Sequence, residues 1–287
     1  MARNNANRVS ADKAETKASV APETTEQQTS TTLSFATPTE FVELPTRGRF
    51  YPEGHPLHNQ ETVEIRYMTA KDEDILSSRT LLKKGLAIER FLQNVIVDNS
   101  IDSNELYIGD KNAIMLAARI TGYGSEYETT VSCPVCSTSE RFAFNLEEVS
   151  LNYGEVFAGY DVTEAENGTY LVKLPKSGFT VGVRLLTGKD ERYLAQLIEN
   201  KRKHRLPDTL LTDQFKQYIV SIEGHTDPNL VLEFVENMPA LDSRYLRTVY
   251  QVLTPNVDLT QEYTCDSCGH EEEVDVPFTA DFFWPRT

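Results

Sequence analysis

The sequence has little positive charge, and this shortage excludes two classes of partner. Its 287 residues include 28 Lys and Arg against 44 Asp and Glu, which gives a formal net charge of −16 at pH 7. Phosphate backbones and anionic lipid surfaces repel such a chain, so we expect it to bind neither nucleic acid nor a membrane. Its hydrophobic fraction of 39% is close to the globular norm, which predicts a folded protein with a sizeable core.

Long apolar runs and a disulfide framework are also missing. No apolar run reaches the roughly 20 residues that span a bilayer, and no charged start followed by an apolar core marks a signal peptide. The four cysteines form two Cys-x-x-Cys pairs, Cys133 with Cys136 and Cys265 with Cys268. This usage suits a reducing compartment and metal-bound thiolates, and it predicts a soluble protein made inside the cell.

The N-terminal segment, residues 1–38, differs in composition from the rest of the chain. It is rich in Ala, Ser, Thr, Asn, Gln and Glu, and Phe35 is its only aromatic residue. Such a segment cannot offset the entropy of ordering by itself, so we predict a disordered arm. Two roles stay open for it, a floppy terminus or a strap that folds onto a neighbouring subunit.

Two stretches of the remaining chain resemble each other. The segment VEIRYMTAKDEDIL begins at Val63 and VGVRLLTGKDERYL begins at Val181, and seven of the fourteen aligned positions are identical. Chance at ordinary composition gives about one. Each stretch predicts a strand that leads into a helix, because Thr69 and Thr187 are suitable N-caps. Asp72 and Asp190 follow three residues later, in a variant of the capping box.

Apolar residues at helical spacing continue both copies beyond these stretches. They predict one amphipathic helix in each copy. The first stripe is Ile88, Phe91, Leu92, Val95 and Ile96, and the second stripe is Leu211, Phe215, Tyr218 and Ile222.

The similarity extends to both sides of the two stretches. VELPTRG at Val42 resembles VKLPKSG at Val172, and the helical patterns after Asp110 and Asp242 precede the two cysteine pairs by the same distance. We therefore predict an α+β fold with an internal duplication, in which two copies of a unit of strand, helices and cysteine hairpin are related by a pseudo-two-fold axis. The predicted domains are the arm (1–38), a first repeat (39–150), a connector (151–170) and a second repeat with an aromatic C-terminal tail (171–287).

Strand-like segments flank both cysteine pairs, so each pair lies at the tip of a predicted hairpin. Two residues between thiols let both sulfurs approach one ion, but such a knuckle supplies only two of the four ligands that Zn²⁺ takes. If the copies face each other, Cys133, Cys136, Cys265 and Cys268 complete one tetrahedral, structural zinc site. A thioredoxin-type redox pair is the alternative, although that motif prefers the start of a helix.

No pattern of catalytic residues accompanies the cysteines. The five histidines show no ligand spacing, and the chain lacks a Gly-rich phosphate loop, a Ser elbow and a His-Glu-x-x-His motif, so we predict neither an enzyme nor a small-molecule substrate. His270 has no counterpart in the first copy, where Thr138 stands, and we interpret it as a surface residue. The basic cluster KRKHR (201–205) is interpreted as a helix C-terminus, with a phosphate or partner patch as the alternative.

The aromatic C-terminal tail, FTADFFWPRT, allows two interpretations. Its rings belong to Phe278, Phe282, Phe283 and Trp284. They either pack on the protein's own core, which we prefer, or anchor the chain in a partner's groove, since aromatic side chains dominate interface energetics.

Several of these segments carry a resemblance to a known family. ELPTRGRFYPEG, VEIRYMTAKDEDIL, IGDKNAIMLAARITGYGSEY with its following Cys-x-x-Cys, and the terminal FFWP resemble the baseplate hub subunits of T-even-type contractile-tailed bacteriophages. The resemblance covers most of the chain from about residue 41. It implies a virion or assembly protein of the tail baseplate hub, made and assembled in the host cytoplasm. Its partners would be other hub and tail proteins, with the tape-measure protein as a further candidate.

Three functions are compatible with these patterns. The first, which we expect, is a non-catalytic building block or assembly factor of a phage baseplate, with two zinc-stapled repeats as a rigid body. The second is a zinc-ribbon nucleic-acid-binding or transcription-related protein, which the knuckles alone suggest and the net charge disfavours. The third is a redox protein that uses the cysteine pairs, which requires a thiol of depressed pKa and a cycling disulfide.

Overall fold

The computed structural model describes residues 36–155, 157, 159–165, 168–276 and 280–283. The predicted disordered arm therefore lies almost wholly outside the described residues, as do Phe278 and Trp284 of the aromatic tail. From Thr37 onward the described residues belong to one compact unit. Helices and small antiparallel sheets alternate along it, which confirms the α+β prediction.

The N-terminal half begins with the two-stranded antiparallel sheet of β1 and β2, and it continues with four helices and the β3–β4 hairpin. A short strand, β5, follows this hairpin. The bounds are β1 (Thr39–Glu43), β2 (Thr62–Arg66), α1 (Ala70–Ser77), α2 (Arg79–Lys84), α3 (Ala87–Val95), α4 (Ile108–Tyr123), β3 (Glu126–Ser132), β4 (Ser139–Asn145) and β5 (Ser150–Asn152).

The C-terminal half contains a four-stranded antiparallel sheet in the order β6-β7-β8-β9, four helices and a last hairpin. A 3-10 turn at Ala280–Phe283 ends the described chain. The bounds are β6 (Val162–Glu164), β7 (Thr169–Lys173), β8 (Thr180–Arg184), α5 (Gly188–Lys203), α6 (Leu210–Tyr218), β9 (Ile219–Ile222), α7 (Pro228–Asn237), α8 (Ala240–Leu253), β10 (Asn256–Asp258), β11 (Thr260–Thr264) and β12 (Glu271–Asp275).

The predicted passage from strand to helix is confirmed in both halves. Strand β2 leads to α1 and strand β8 leads to α5. Thr69 caps α1 and Thr187 caps α5, and in each case the aspartate at the third helical position completes a capping box. In each box the threonine side chain accepts a hydrogen bond from the backbone N–H of the aspartate, and the aspartate side chain accepts one from the backbone N–H of the threonine. These N–H groups have no partner within the helix, so the box fixes where each helix starts.

The predicted apolar stripes are only partly confirmed. In the first stripe, Phe91, Leu92 and Val95 are buried residues of α3, and Ile96 is buried directly after it. The second stripe is wrong at Ile222, which lies in β9 rather than in a helix. Helix α6 ends at Tyr218 because the β-branched run that follows pairs with β8 in the sheet, where Ile219, Ser221 and Ile222 are buried.

A buried carboxylate joins each Leu-Pro turn to the start of a long helix. Asp110, in the first turn of α4, accepts hydrogen bonds from the Thr46 backbone N–H (3.0 Å), the Thr46 hydroxyl (2.6 Å) and the Tyr51 hydroxyl (2.8 Å). Asp242, in the first turn of α8, accepts from the backbone N–H groups of residues 176 and 177 at 2.7 and 2.9 Å. Both turns are thus held by a residue more than sixty positions away.

The first of these turns also needs a glycine. Gly48 has a φ of +70°, and a Cβ at this position would lie 2.4 Å from the backbone of Leu57 and of Gln60. Any side chain here would clash with backbone atoms that cannot move aside. The Leu-Pro-x-x-Gly pattern in the sequence therefore marks a tight turn with a specific steric requirement.

The two hydrophobic cores share side chains between the halves. The second core is formed by β7, β8, β9 and helices α6 to α8, together with Phe50 from the N-terminal half. The first core is formed by β1, β2, the N-terminal helices and the β3–β4 hairpin, together with residues from the end of the chain. These are Val257, Tyr263, Cys265, Val276, Phe282 and Phe283.

Candidate metal centre

The two cysteine hairpins have the same local structure. β3 pairs with β4 and β11 pairs with β12, both antiparallel, and the Cys-x-x-Cys segment forms the tip of each. In both tips the first cysteine is closed into the turn by two backbone hydrogen bonds. These bonds run from Cys133 N–H to Thr138 O (2.9 Å), Ser137 N–H to Cys133 O (2.9 Å), Cys265 N–H to His270 O (2.8 Å) and Gly269 N–H to Cys265 O (2.8 Å).

The residue after the second cysteine of each tip adopts a left-handed backbone conformation. Ser137 has a φ of +58° and Gly269 has a φ of +69°. Glycine tolerates this conformation without strain, whereas a serine pays a steric penalty. The tip turn is therefore retained in the N-terminal hairpin although the residue is less suited to it.

The four sulfurs lie together at the point where the two hairpin tips meet. Cys133 Sγ is 3.7 Å from Cys268 Sγ, and Cys136 Sγ is 3.7 Å from Cys265 Sγ. All four Sγ atoms lie within 4.8 Å of one another. Zn–S bonds of about 2.3 Å in a tetrahedron correspond to S···S edges of about 3.8 Å. The sulfur positions therefore fit a single tetrahedral ion of this size.

The close contacts connect the hairpins to each other rather than the two thiols of one pair. The first cysteine of one hairpin faces the second cysteine of the other, in both directions. A separation of 3.7 Å is much longer than the roughly 2.05 Å of a disulfide bond, and all four cysteines are free. This crossed arrangement disfavours a redox pair within either Cys-x-x-Cys motif.

Burial and hydrogen bonding divide the four thiols into two kinds. Cys133 and Cys265 are buried, whereas Cys136 and Cys268 are exposed. The Thr138 side chain and backbone N–H, and then the neighbouring thiols, lower the pKa of Cys136 to about 6. The backbone N–H of His270 acts in the same sense on Cys268, but desolvation and the contacts with the other cysteines outweigh it and raise the pKa of Cys268. Cys136 thus forms a thiolate readily, and Cys268 then resists ionisation unless a cation is present.

Polar contacts outside the sulfurs hold the two hairpins in register. The Tyr263 hydroxyl donates to Glu140 Oε1, and the Asp266 backbone N–H donates to the same atom at 3.1 Å. Further along, Gln261 Nε2 donates to Asn145 O (2.7 Å) while Asn145 N–H donates to Gln261 Oε1 (3.1 Å). The sulfur cluster is therefore supported by a shell of contacts that cross from one hairpin to the other.

The other candidate residues stay outside this cluster. Within the described part of the chain, the four cysteines are the one group of metal-ligand side chains that converges on a common point. His270 is partly exposed and lies 3.8 Å from Glu272. The basic cluster does end a helix as predicted, since α5 stops at Lys203 and Lys201 pairs with Asp213 at 2.5 Å.

The described part of the aromatic tail packs on the protein's own core, as preferred from the sequence. Phe282 and Phe283 are 0% and 1% exposed, and their rings contact Tyr127 and Phe91 edge to face. Arg119, which sequence reasoning missed, reaches this site from α4. Its buried guanidinium donates a hydrogen bond to the carbonyl oxygen of Phe282 at 2.7 Å. The sequence feature that could have indicated Arg119 is its position as a cation within an apolar helical stripe.

Comparison with known proteins gives one match that covers nearly all of the described chain. The profile of the family described as T4 bacteriophage base plate protein matches residues 39–284. Neither a curated protein nor a solved structure matches the chain significantly. Among the described helices, none combines the length and the apolar character that crossing a lipid bilayer requires.

Proposed function

Because the chain belongs to the family of T4 bacteriophage base plate proteins, we propose that it is a non-catalytic structural component or assembly factor of the baseplate hub of a contractile phage tail. The family match over residues 39–284 is the observation that carries this proposal. Family membership makes it a phage tail protein that acts with other baseplate proteins. The hub as its location, the tape-measure protein as a partner and the lack of catalysis are our inferences.

We infer that two copies of one ancestral unit form the body, a first repeat at 39–150 and a second at 171–287 with a connector between them. The support is the agreement of contacts at matching positions. Asp72 accepts five hydrogen bonds, two of them from Arg66, and Asp190 accepts five, two of them from Arg184. The capped helices, the carboxylate-held turns and the cysteine tips agree in the same way.

We further propose that Cys133, Cys136, Cys265 and Cys268 hold one Zn²⁺ ion. Four thiolates in a tetrahedron are the usual shell of a structural zinc site and leave no position for a reacting water. The ion would neutralise the charge of the clustered thiolates and would connect the two repeats. It would contribute folding free energy directly, so the body would act as one rigid block for its neighbours.

Partner classes follow from charge and family. The net charge of −16 disfavours nucleic acid and anionic membranes, and with them the zinc-ribbon transcription alternative. We propose other tail and hub proteins as the partners, no small-molecule substrate, and a place in the virion after assembly in the host cytoplasm.

The metal proposal is tested by elemental analysis of the purified full chain. We expect about one zinc per chain and no thiol that reacts under native conditions. Cys265→Ser should lose the metal, whereas Ser267→Ala, an exposed change in the same hairpin tip, should keep it. Metal-free protein of unchanged stability, or thiols that cycle to a disulfide, would contradict the proposal.

The assembly proposal is tested in phage-infected cells with a chain that carries an affinity tag. We expect tail and baseplate proteins to co-purify with it, and we expect infection in its absence to yield particles without functional tails. Tailed particles that assemble normally without this chain would exclude the role. Salt-sensitive binding to DNA or RNA at micromolar concentration would instead favour the zinc-ribbon alternative.

A further inference from the structure

The four-stranded sheet of the C-terminal half has an incomplete counterpart in the N-terminal half. β7 pairs with β8 and β1 pairs with β2 in matching register, since Val172 lies opposite Val181 and Val42 lies opposite Val63. β9 covers the other side of β8, and residues 96–97 cover the matching side of β2. The outer side of β7 is paired with β6, whereas β1 pairs with β2 alone among the described strands. One strand position beside β1 is therefore open in the part of the chain that the structure describes.

The backbone groups on the open side of β1 match those that bond β6 on β7. On β7 they belong to odd-numbered residues, since Ala165 N–H donates to Thr169 O at 2.7 Å. On β1 the even-numbered residues bond β2, as Leu44 N–H does with Glu61 O at 2.8 Å. In an antiparallel ladder the odd-numbered residues of β1 then direct their backbone groups away from β2. These groups form a template for one more strand.

An apolar groove of about 280 Å³ runs along the open side of β1. Its lining includes residues 40–43 of β1 and the apolar side of α4, namely Ala113, Leu116, Ala117 and Ile120. In the C-terminal half, the Tyr245 hydroxyl of α8 accepts a hydrogen bond from Asp161 N–H, directly before β6, at 3.2 Å. Ala113 and Tyr245 each follow the buried aspartate of their helix by three residues. The groove therefore corresponds to the space that β6 fills beside β7 and α8.

Glu40 gives this groove a preference for a cation. Its Oε1 atom is buried and has no hydrogen-bond partner among the described residues. Desolvation raises the pKa of this carboxyl above its usual range. At the equivalent position β7 has Tyr170, whose ring is buried in the second core. A buried acceptor without a donor is unfavourable, so a strand with a Lys or Arg opposite Glu40 would stabilise the site.

The charge at another position of the groove wall is reversed between the halves. Lys173 N–H donates to Asp161 O at 3.1 Å, which places a base of β7 opposite an acid of the added strand. β1 has Glu43 at the equivalent position. This carboxylate accepts a hydrogen bond from the Tyr153 hydroxyl at 2.8 Å and lies near the charge of Arg47, so its preference for a further cation is weaker. Since opposite charges stabilise neighbouring strands, a strand that completes this sheet should be basic where the β6 segment is acidic.

Two other occupants lack the required charge. A second copy of this chain would present its own β1, Thr39–Glu43, which contains two glutamates and neither Lys nor Arg. Residues 18–38, which lead into β1 as the β6 segment leads into β7, also contain neither Lys nor Arg. A basic segment of another protein meets the requirement, and the net charge of −16 attracts it.

We propose that the open side of β1 binds an extended segment of another protein, which adds as an antiparallel strand and sets a Lys or Arg opposite Glu40. The added strand would bond the backbone groups of Phe41 and Glu43. It would also cover the Phe41 ring, which is 71% exposed and is the most exposed large apolar side chain in the described structure. Main-chain hydrogen bonds would supply affinity, and the cation would supply specificity. The assignment of this segment to a baseplate protein rests on the proposed function.

Residue-resolved hydrogen exchange of the purified full chain with two synthetic peptides tests the proposal. The acidic peptide has the sequence of residues 159–165, and the basic peptide is the same segment with Asp161→Lys and Glu164→Lys. At millimolar concentration the basic peptide should slow the exchange of the Phe41 and Glu43 amides by about tenfold, and the acidic peptide should leave it unchanged.

A charge exchange on the protein provides the matched experiment. In Glu40→Lys the preference should reverse, so that the acidic peptide protects these amides and the basic peptide does not. Glu53→Lys, an exposed change in the following turn, is the control and should respond to the peptides as the wild type does.

The amides of Val42 and Leu44 separate a local effect from loss of folding, because they bond β2 and should stay protected throughout. If Glu40→Lys loses them, the two peptides on the wild type still decide. No protection by the basic peptide, or equal protection by both peptides, would overturn the proposal. Protection without peptide would also overturn it, since a loss on deletion of residues 2–35 or on dilution would identify the chain's own segment or a second copy.

Cross-linking in infected cells separates this proposal from the proposed function. A photoreactive residue in place of Phe41 should cross-link to a Lys- or Arg-containing segment of a partner. The same residue in place of Leu241, which is 57% exposed on α8, should not reach that segment. A basic segment of a protein outside the tail would support strand binding and contradict its assignment to the baseplate. If tail proteins co-purify while position 41 gives no cross-link, the proposed function stands and strand binding is refuted.

Discussion

Asp110 is a single buried residue whose charge state should be visible in the stability of the whole protein. Its carboxyl is completely buried between the Leu-Pro turn and α4. Desolvation raises its pKa from 3.8 to about 6, although the hydrogen bonds from Thr46 and Tyr51 act in the opposite direction. Since the folded pKa lies above the unfolded one, the folded state binds the proton more tightly between these two values. The stability that Asp110 contributes therefore increases as the pH falls from about 6 to 3.8.

Asp110→Asn should remove this pH dependence. The difference in unfolding free energy, wild type minus variant, should rise by roughly 2 kcal/mol between pH 7 and pH 4, as measured by urea denaturation. His55, which stacks on Tyr51 and whose pKa is lowered by burial, is present in both proteins, so its contribution cancels in the difference. A difference that does not change with pH would contradict the raised pKa.

The residues differ in how far the sequence could identify their roles. The cysteines were predictable, because two matched Cys-x-x-Cys spacings have few physical meanings. Asp110 was recognised only as the start of a helix, since its partners Thr46 and Tyr51 lie 64 and 59 positions earlier. Arg119 gave no signal beyond its unusual place in an apolar stripe. A local pattern cannot indicate which distant backbone carbonyl a buried cation will meet.

At the scale of elements, the passage from strand to helix is the best-specified part of the fold. In both halves an arginine at the end of the strand pairs, at 2.7 Å, with the aspartate that completes the capping box of the helix. Hydrogen bonds from the arginine and from the capping threonine outweigh desolvation and lower the pKa of Asp72 and of Asp190 to about 2. Each carboxylate therefore stabilises the fold above pH 3.8, and this contribution is lost as the pH falls toward 2.

Asp72→Asn and Asp190→Asn should each lower the unfolding free energy by about 2 kcal/mol at pH 7, because the amide loses the ion pair and presents a donor to other donors. Denaturant titrations should give similar values for the two variants, and the difference from wild type should shrink below pH 3.8. Asp74→Asn, an exposed change on α1, provides the control and should alter stability by less than about 0.5 kcal/mol. Unequal effects at the two sites would weaken the case for a duplication.

Element boundaries could be predicted from the sequence where a few adjacent residues set them. The prediction failed where the boundary depends on strand pairing in the sheet. The capping boxes fixed the starts of α1 and α5 from a few adjacent residues. The end of α6 depends instead on the pairing of β9 with β8, about forty residues away in the sequence. Periodicity alone therefore extended the helical stripe to Ile222, because Ile222 is equally suitable as a buried strand residue.

At the scale of the whole molecule, the halves are connected by three kinds of contact. β5 pairs with β10, the hairpins meet at the four sulfurs, and each core contains side chains from the other half. Phe282 and Phe283 alone contribute roughly 2 to 3 kcal/mol each to the first core through burial. A change at the four sulfurs should therefore lower the stability of both cores.

Removal of the proposed metal should destabilise both cores together. A strong chelator should release four reactive thiols per chain and lower the unfolding free energy by about 5 kcal/mol or more, a fraction of the 10–16 kcal/mol that zinc contributes in small zinc-finger peptides. Hydrogen exchange should report the loss at Leu92 in the first core and at Val249 in the second. The variant with all four cysteines changed to serine should not respond to the chelator. A loss of hydrogen-exchange protection that is confined to the hairpin tips would show that the metal site does not couple the stability of the two halves.

The crossed sulfur contacts have a consequence for synthesis of the protein. Two of the four thiols are encoded near the middle of the chain, and the others at positions 265 and 268 of 287. A ribosome must therefore add more than 130 residues after Cys133 before that thiol can meet Cys268. A product that ends after the first hairpin and before the second contains two unmatched thiols and an incomplete first core, which distinguishes it chemically from the finished molecule.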